Sequence, residues 1–182
     1  LIANTAATAA ILYVLIEVFG PLSGAHFNPA VTLAFRLDCQ IGTGLALGYV
    51  AVQLAGGLAG VLAAHAMFDL PLFQLGVRSR TGAGQWFGEL VATFGLALVI
   101  LLGARRKPTT VPAVVALYIA AAFWFTSSTS FANPAMTLAR SLTSSFAGIA
   151  PGHAPGFIAA QLVGAVLAVA MSRWFERSPA LK

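Results

Sequence analysis

Phe27-Asn28-Pro29-Ala30-Val31-Thr32-Leu33-Ala34 recurs 105 residues later (133 − 28) as Ala132-Asn133-Pro134-Ala135-Met136-Thr137-Leu138-Ala139. The likeness continues downstream, where Tyr49-Val50-Ala51-Val52-Gln53-Leu54-Ala55-Gly56 stands against Phe157-Ile158-Ala159-Ala160-Gln161-Leu162-Val163-Gly164. Self-similarity of this kind in an apolar chain marks a membrane protein built on an internal repeat. The question is why such a chain keeps two copies of a polar tripeptide suited to starting helices.

Of the 182 residues, 59% are hydrophobic and only 8% charged. Soluble domains carry about a quarter charged residues, so water does not surround most of this surface; a lipid bilayer does. Apolar stretches at residues 1–19, 41–68, 85–103, 111–125 and 155–175 approach the ~20 residues that cross a bilayer. The fourth is short and is expected to run on through Thr126 and Ser127. A net charge of +5 invites nucleic-acid binding, but the basic residues stand between or beyond the apolar stretches. Placing Arg36, Arg105, Arg106, Lys107, Arg173, Arg177 and Lys182 inside the cell leaves Arg78, Arg80 and Arg140 outside, the bias that sets membrane orientation. No nucleic-acid partner is expected. The single cysteine, Cys39, excludes an intrachain disulfide, and no Cys/His spacing resembles a metal site.

Three apolar stretches separate the two tripeptides. The number is odd, so the copies enter from opposite faces, as in an inverted-topology repeat whose functional site lies near the midplane. Segments 29–37 and 134–142 are too short to span and read as half-helices that enter the membrane without crossing it. Proline suits the first helical position, where its missing N–H is no loss, and asparagine before it is a strong N-cap. The repeat also places a partner for 85–103 about 20 residues before Leu1 (85 − 105 = −20). A first spanning helix, absent from this chain, is therefore expected to cover faces of 1–19 and 85–103. The expected fold is an all-α membrane bundle with one domain over 1–182, a first repeat over 1–68 and a second over 85–175.

Two helix N-termini meeting in the membrane leave N–H groups without intrahelical partners, a cost tolerable only beside a water-filled cavity. Each end carries roughly half a positive charge and repels protons and other cations. The side chains of Asn28 and Asn133 would offer N–H donors to a passing neutral molecule. A pore for small uncharged solutes follows.

Ser23-Gly24-Ala25-His26-Phe27-Asn28-Pro29-Ala30-Val31-Thr32 resembles the first signature of the aquaporin and glycerol-facilitator superfamily. Glu89 within Gly88-Glu89-Leu90-Val91-Ala92-Thr93-Phe94-Gly95, and the Gln161-Leu162-Val163-Gly164 segment, fit the same pattern. The resemblance implies six spanning helices and two half-helices in each subunit of a homotetramer, multi-pass in the cell membrane (the inner membrane of a bacterium), with one pore per subunit. It assigns the pore caps to Asn28, Pro29, Ala30, Asn133, Pro134 and Ala135. Its four-residue filter, carried over by spacing, falls on Thr8, Ala121, Ser130 and Met136. Water-selective members have arginine where this chain has Met136, so the filter is expected to be wide, weakly polar and without a fixed cation. Arg140, four residues on and on the same helical face, is expected in the outer vestibule. Glycerol, urea and metalloid hydroxides such as arsenite are the solutes implied, besides water.

In that family the intramembrane glutamate, here Glu89, braces the neighbouring loop by accepting backbone N–H bonds. His26 is expected in the cytoplasmic vestibule, while His65 and His153 fit the membrane interfaces. Glu17 fits either the cytoplasmic end of its helix or an inner vestibule. Gly44-xxx-Gly48 and Gly56-xxx-Gly60 read as close-packing motifs. No nucleophile–base pair, phosphate loop or cofactor motif is visible, so neither catalysis nor a cofactor is expected. An ion-coupled secondary transporter and a non-conducting scaffold of the same fold are the rival functions.

Overall fold

The computed structural model describes residues 1–178. They form seven α-helices and no strand: α1 (Ile2–Ser23), α2 (Pro29–Leu37), α3 (Thr43–Met67), α4 (Ala83–Arg106), α5 (Val111–Phe125), α6 (Pro134–Arg140) and α7 (Ala154–Arg177). Five of the helices are long and apolar enough to cross a membrane, α5 together with the tight turn Pro108–Thr110 before it. The two others, α2 and α6, have nine and seven residues.

Local chemistry sets the boundaries. Gly24 closes α1 in the left-handed conformation (φ 72°), which costs glycine nothing. Asn28 caps α2, Pro29 opens it, and Arg36 in its last turn complements the negative end of the dipole. Helix α5 does not run on through Thr126 and Ser127. Thr126 is extended (ψ 140°) and its hydroxyl bonds back to Ala122 O at 2.8 Å, which ends the helix. The missing length comes from the N-terminal side, where Pro108 starts the turn that feeds α5. Likewise α6 stops at Arg140, with 141–142 in a turn.

The centre of the bundle is α4 against α7, with α1 on α5 beside it. A methyl at Gly164 would meet the Leu90 carbonyl oxygen at 2.5 Å, and one at Gly95 would run into the Tyr118 hydroxyl, so these glycines let α7 and α5 approach α4. By contrast, among the described residues nothing lies within 4 Å of a methyl placed at Gly44, Gly48, Gly56 or Gly60, so these glycines pack no helix within this chain. They lie on α3, whose spanning window is only 6% buried. The same holds for α1 at 6%, whereas α4 reaches 39%. The expectation that 85–103 would present a bare face therefore fails, because α7 and α5 cover it; the bare faces belong to α1 and α3.

Both half-helices are held inside the bundle. Helix α2 packs on α3, α4 and α7, and α6 on α3 and α7. Beyond the end of α2, Asp38 binds Arg105 of α4, and Arg105 also binds Glu176 of α7. Arg173 of α7 lies 3.6 Å from Asp38 and donates to Leu37 O. Arg78, Arg80 and Arg140 gather at the other end. This separation matches the charge bias of the sequence; Lys182, counted with the first group, lies outside the described residues.

Candidate functional site

The N-termini of α2 and α6 meet through one hydrogen-bond pattern made twice. Asn28 Oδ1 accepts Ala30 N–H at 2.9 Å; Asn133 Oδ1 accepts Ala135 N–H at 3.0 Å and Met136 N–H at 3.2 Å. Both asparagines share a backbone geometry, with φ −156° and ψ 120° or 112°. Their amide groups then cross over. Asn28 Nδ2 donates to Ala132 O at 2.7 Å, and Asn133 Nδ2 donates to Phe27 O at 2.9 Å. Each side chain thus caps its own helix and pins the loop of the other.

This corrects one expectation about the pore. An asparagine amide has two hydrogens, and one on each residue is held by the opposite loop. One hydrogen per asparagine remains for a solute.

The loops before the asparagines repeat as well. Positive φ falls on Gly24, Ala25 and Phe27 (72°, 47°, 45°) and, 105 residues later, on Thr129, Ser130 and Ala132 (62°, 48°, 46°). Left-handed backbone is strained for any residue with a side chain and persists where surrounding contacts enforce it. Among the described residues, no protein donor reaches the carbonyls of Gly24, Ala25, His26, Thr129, Ser130 or Phe131. The site therefore offers bare acceptors on both sides of the two asparagine donors.

The second loop is held from beneath. Glu89, fully buried on α4, accepts Phe131 N–H and Ala132 N–H, both at 2.8 Å, and Gln161 Nε2–H at 2.6 Å. Gln161 also donates to Thr137 Oγ1 at 2.9 Å, a bond mirrored by Gln53 to Thr32 Oγ1 at 2.9 Å. No side chain among the described residues accepts from His26 N–H or Phe27 N–H, so the first loop has no equivalent of Glu89.

A cavity of ≈ 250 Å³ lies between α1, α4, α5 and the two loops, and Thr8, Asn28, Ser130, Asn133 and Met136 line it. Pro29, Ala30, Pro134 and Ala135 are buried behind the asparagines. Ala121 is not part of the wall. On α5 the cavity is lined by Val115, Ile119 and Phe123, and at 100° per residue Ala121 points to the opposite, exposed side. Phe123 is the wall residue that sequence reasoning missed, a large apolar side chain where the small Ala121 was expected. A larger groove of ≈ 490 Å³ runs along α3 and α6 and touches Asn133 and Met136. The smaller cavity is the relevant one, since it holds both asparagines.

His26 lines both cavities, although little of its surface is exposed. Its ring stacks on Phe35 (4.4 Å) and Tyr49 (4.8 Å), and Nδ1 lies 3.1 Å from Thr32 Oγ1. Burial pushes its pKa below the ordinary 6.5, so the ring is neutral at pH 7. Glu17 is exposed on α1 and is not among the residues that line either cavity. His65 is buried with Nδ1 2.9 Å from Leu72 O, and His153 accepts Arg80 N–H at 3.2 Å. Arg140 lies 4.2 Å over the Phe131 ring and lines a third pocket with Arg78 and Arg80. Among the described residues no three His, Cys, Asp or Glu converge as metal ligands.

Comparison with known proteins agrees with this geometry. The family model for major intrinsic protein matches residues 1–146. Aquaglyceroporin AqpS of Rhizobium meliloti (strain 1021) is 55% identical over 174 residues, which are 96% of this chain and 75% of that protein. Human Aquaporin-5 is 37% identical over 101 residues, 53% of this chain and 38% of its own length. The lens fiber major intrinsic protein of Gallus gallus is 52% identical over 46 residues, 25% of this chain and 18% of that protein.

Proposed function

The chain belongs to the major intrinsic protein family, and we propose that it forms a passive transmembrane channel for water and small uncharged solutes. The observation that carries this reading is the crossed pair of asparagine caps at two opposed helix N-termini. In pores of the aquaporin type, positive half-helix ends exclude protons and cations while lining donors and acceptors pass neutral molecules. Here the free amide hydrogens of Asn28 and Asn133 are the donors, and the unpaired loop carbonyls are the acceptors.

The filter we propose consists of Thr8, Phe123, Ser130 and Met136. It carries no charge and few hydrogen-bonding groups, so a solute must shed part of its hydration without a guanidinium to replace it. Compact polyols and hydroxides such as glycerol or arsenite, and urea, fit this chemistry better than ions do. The printed name of the Rhizobium relative supports a glycerol-class solute. Residues 1–68 and 85–175 are proposed as two inverted repeats, supported by the 105-residue offset of caps and left-handed residues. A homotetramer in a bacterial inner membrane is proposed by family resemblance. No observation favours an ion-coupled transporter: Glu17 is exposed, and Glu89 already accepts three hydrogen bonds.

The test is stopped-flow light scattering on proteoliposomes containing the protein. Shrinkage in an impermeant osmolyte reports water, and re-swelling in glycerol, urea or arsenite ranks the solutes. Passive flux proportional to the gradient, with no dependence on a proton or sodium gradient, is expected. Flux that saturates at low solute and follows an ion gradient would refute the channel reading.

A further inference from the structure

The end of the bundle opposite the Asp38–Arg105–Glu176 cluster holds a pocket of ≈ 170 Å³ lined by Asn4, Arg78, Arg80, Phe123, Thr129 and Arg140 among others. Three of these residues are guanidinium bearers, and the lining contains no carboxylate. None of the three makes an ion pair among the described residues.

The guanidinium groups differ in how they are held. Arg80 is fixed, with Nε donating to Gly148 O at 2.9 Å and Nη2 to Phe146 O at 3.1 Å. The Arg140 side chain makes no hydrogen bond among the described residues, yet it is ordered by the Phe131 ring at 4.2 Å, and Arg80 lies over the same ring at 5.2 Å. The Arg78 side chain is exposed and unpaired among the described residues. Each guanidinium carries five N–H donors, and of these about fifteen only two, both on Arg80, meet an acceptor among the described residues. Burial and the charge of Arg78 together hold Arg80 below its ordinary range. Glu89 offsets part of this charge through space, but its oxygens are taken by Phe131, Ala132 and Gln161. Like charges brought together without a counterion are costly, and the bonds that position Arg80 and the ring that positions Arg140 leave their remaining donors free.

We propose that this pocket binds one small oxyanion of the phosphate class at the mouth of the pore, through Arg78, Arg80 and Arg140, with Asn4 and Thr129 as neutral partners. The volume suits it: at ~30 Å³ per water the pocket holds about six waters, or a small oxyanion with part of its hydration. Planar guanidinium groups are matched to such oxygens. Phe123 lines both this pocket and the cavity below, so a bound anion stands over the filter and slows neutral solutes entering from that side.

The experiment measures binding of inorganic phosphate to the purified protein in non-ionic detergent at low ionic strength, by calorimetry. One saturable site is expected. Arg78→Gln, which removes no side-chain hydrogen bond or ion pair, and Arg140→Gln should each weaken it at least about tenfold, as loss of a charge-assisted bond does. Lys107→Gln, at the other end of the bundle, should not. A lipid phosphate has the same chemistry, so a second arm uses liposomes of phosphatidylcholine with and without phosphatidylglycerol. If phosphate slows solute flux in pure phosphatidylcholine, the occupant is the free anion. If phosphatidylglycerol alone slows flux and abolishes the phosphate effect, it is a headgroup. Either result supports the site. Absence of saturable phosphate binding together with no effect of phosphatidylglycerol would overturn it, as would equal affinity in wild type, Arg78→Gln and Arg140→Gln. The binding measurement is independent of flux, so its failure leaves the channel reading standing.

Discussion

Replacing Glu89 by Gln should destabilise the protein and close the pore, although the two side chains have nearly the same size. The carboxylate accepts three hydrogen bonds in a site with no exposure: Phe131 N–H, Ala132 N–H and Gln161 Nε2–H. An amide offers one acceptor oxygen in place of two. If that oxygen keeps Phe131, the new NH₂ faces two donors. Rotation of the Gln161 amide can satisfy one of them, but Ala132 N–H is then left buried and unpaired. An unpaired buried donor costs ~1–3 kcal/mol, and conversion of the remaining charge-assisted bonds to neutral ones removes ~1–2 kcal/mol more. A total of about 2–5 kcal/mol follows. At ~2–4 °C per kcal/mol for a chain of this size, the Tm should fall by roughly 4–20 °C.

The effect should reach function through Ala132. Its carbonyl accepts the Asn28 amide, so a loop released from Glu89 also releases the cross-link between the half-helices. Thermal melting in detergent and solute flux in liposomes, read on the same preparation, test both steps. A Glu89→Gln protein that melts within about 2 °C of wild type and conducts normally would refute the idea that these backbone bonds hold the loop.

Asn133→Asp removes the donor to Phe27 O and puts negative charge where two helix ends are positive; proton and sodium leak measured with a pH-sensitive dye should rise, and unchanged leak in a folded variant would count against electrostatic exclusion. Phe123→Ala should raise flux of solutes larger than glycerol more than that of water, whereas Ala121→Phe, on the outward face of α5, should change neither. Met136→Arg adds bulk and a fixed cation beside Asn133 and should reduce glycerol flux far more than water flux; equal reductions would take Met136 out of the filter. For His26 the folded pKa lies below 6.5, so its neutral form stabilises the fold fully above that pH and progressively less below it. The Tm should therefore fall as the pH drops below 6.5, and His26→Phe, which keeps the stacking, should flatten part of that fall.

The repeated tripeptide made the half-helices legible because capping is local. Asn28 and Pro29 start α2 by chemistry that needs no distant partner, and 29–37 was bounded by sequence alone. Spanning helices were legible for the same reason, as length and polarity decide them. What stayed hidden depends on rotation and on residues far apart. Spacing from the tripeptide does not distinguish Ala121 from Phe123 as the wall residue of α5; packing of Val115, Ile119 and Phe123 on α4 sets that rotation. The Asp38–Arg105 pair joins positions 67 residues apart. The left-handed loops left no trace except Gly24, because Ala25, Phe27, Ser130 and Ala132 are not residues that favour that conformation.

That last point bears on why two matched loops are kept. Among the described residues, five of the seven non-glycine positions with positive φ are Ala25, Phe27, Thr129, Ser130 and Ala132, within two short loops. Each costs of order 1–2 kcal/mol, and a chain that needed only to join two helices would not concentrate the strain there. The conformation leaves loop carbonyls without protein donors beside the asparagine amides, which is the arrangement a hydrated path requires. Strain of this size needs an opposing hold. In the second loop Glu89 supplies it through two backbone bonds, while the first loop has the cap of Asn28, the crossed bond from Asn133 and the stacked His26. The cross-link therefore matters most to the first loop. Asn133 is at once a lining residue and the strut that keeps Phe27 left-handed, so the polarity of the pore and the shape of its wall rest on the same side chain.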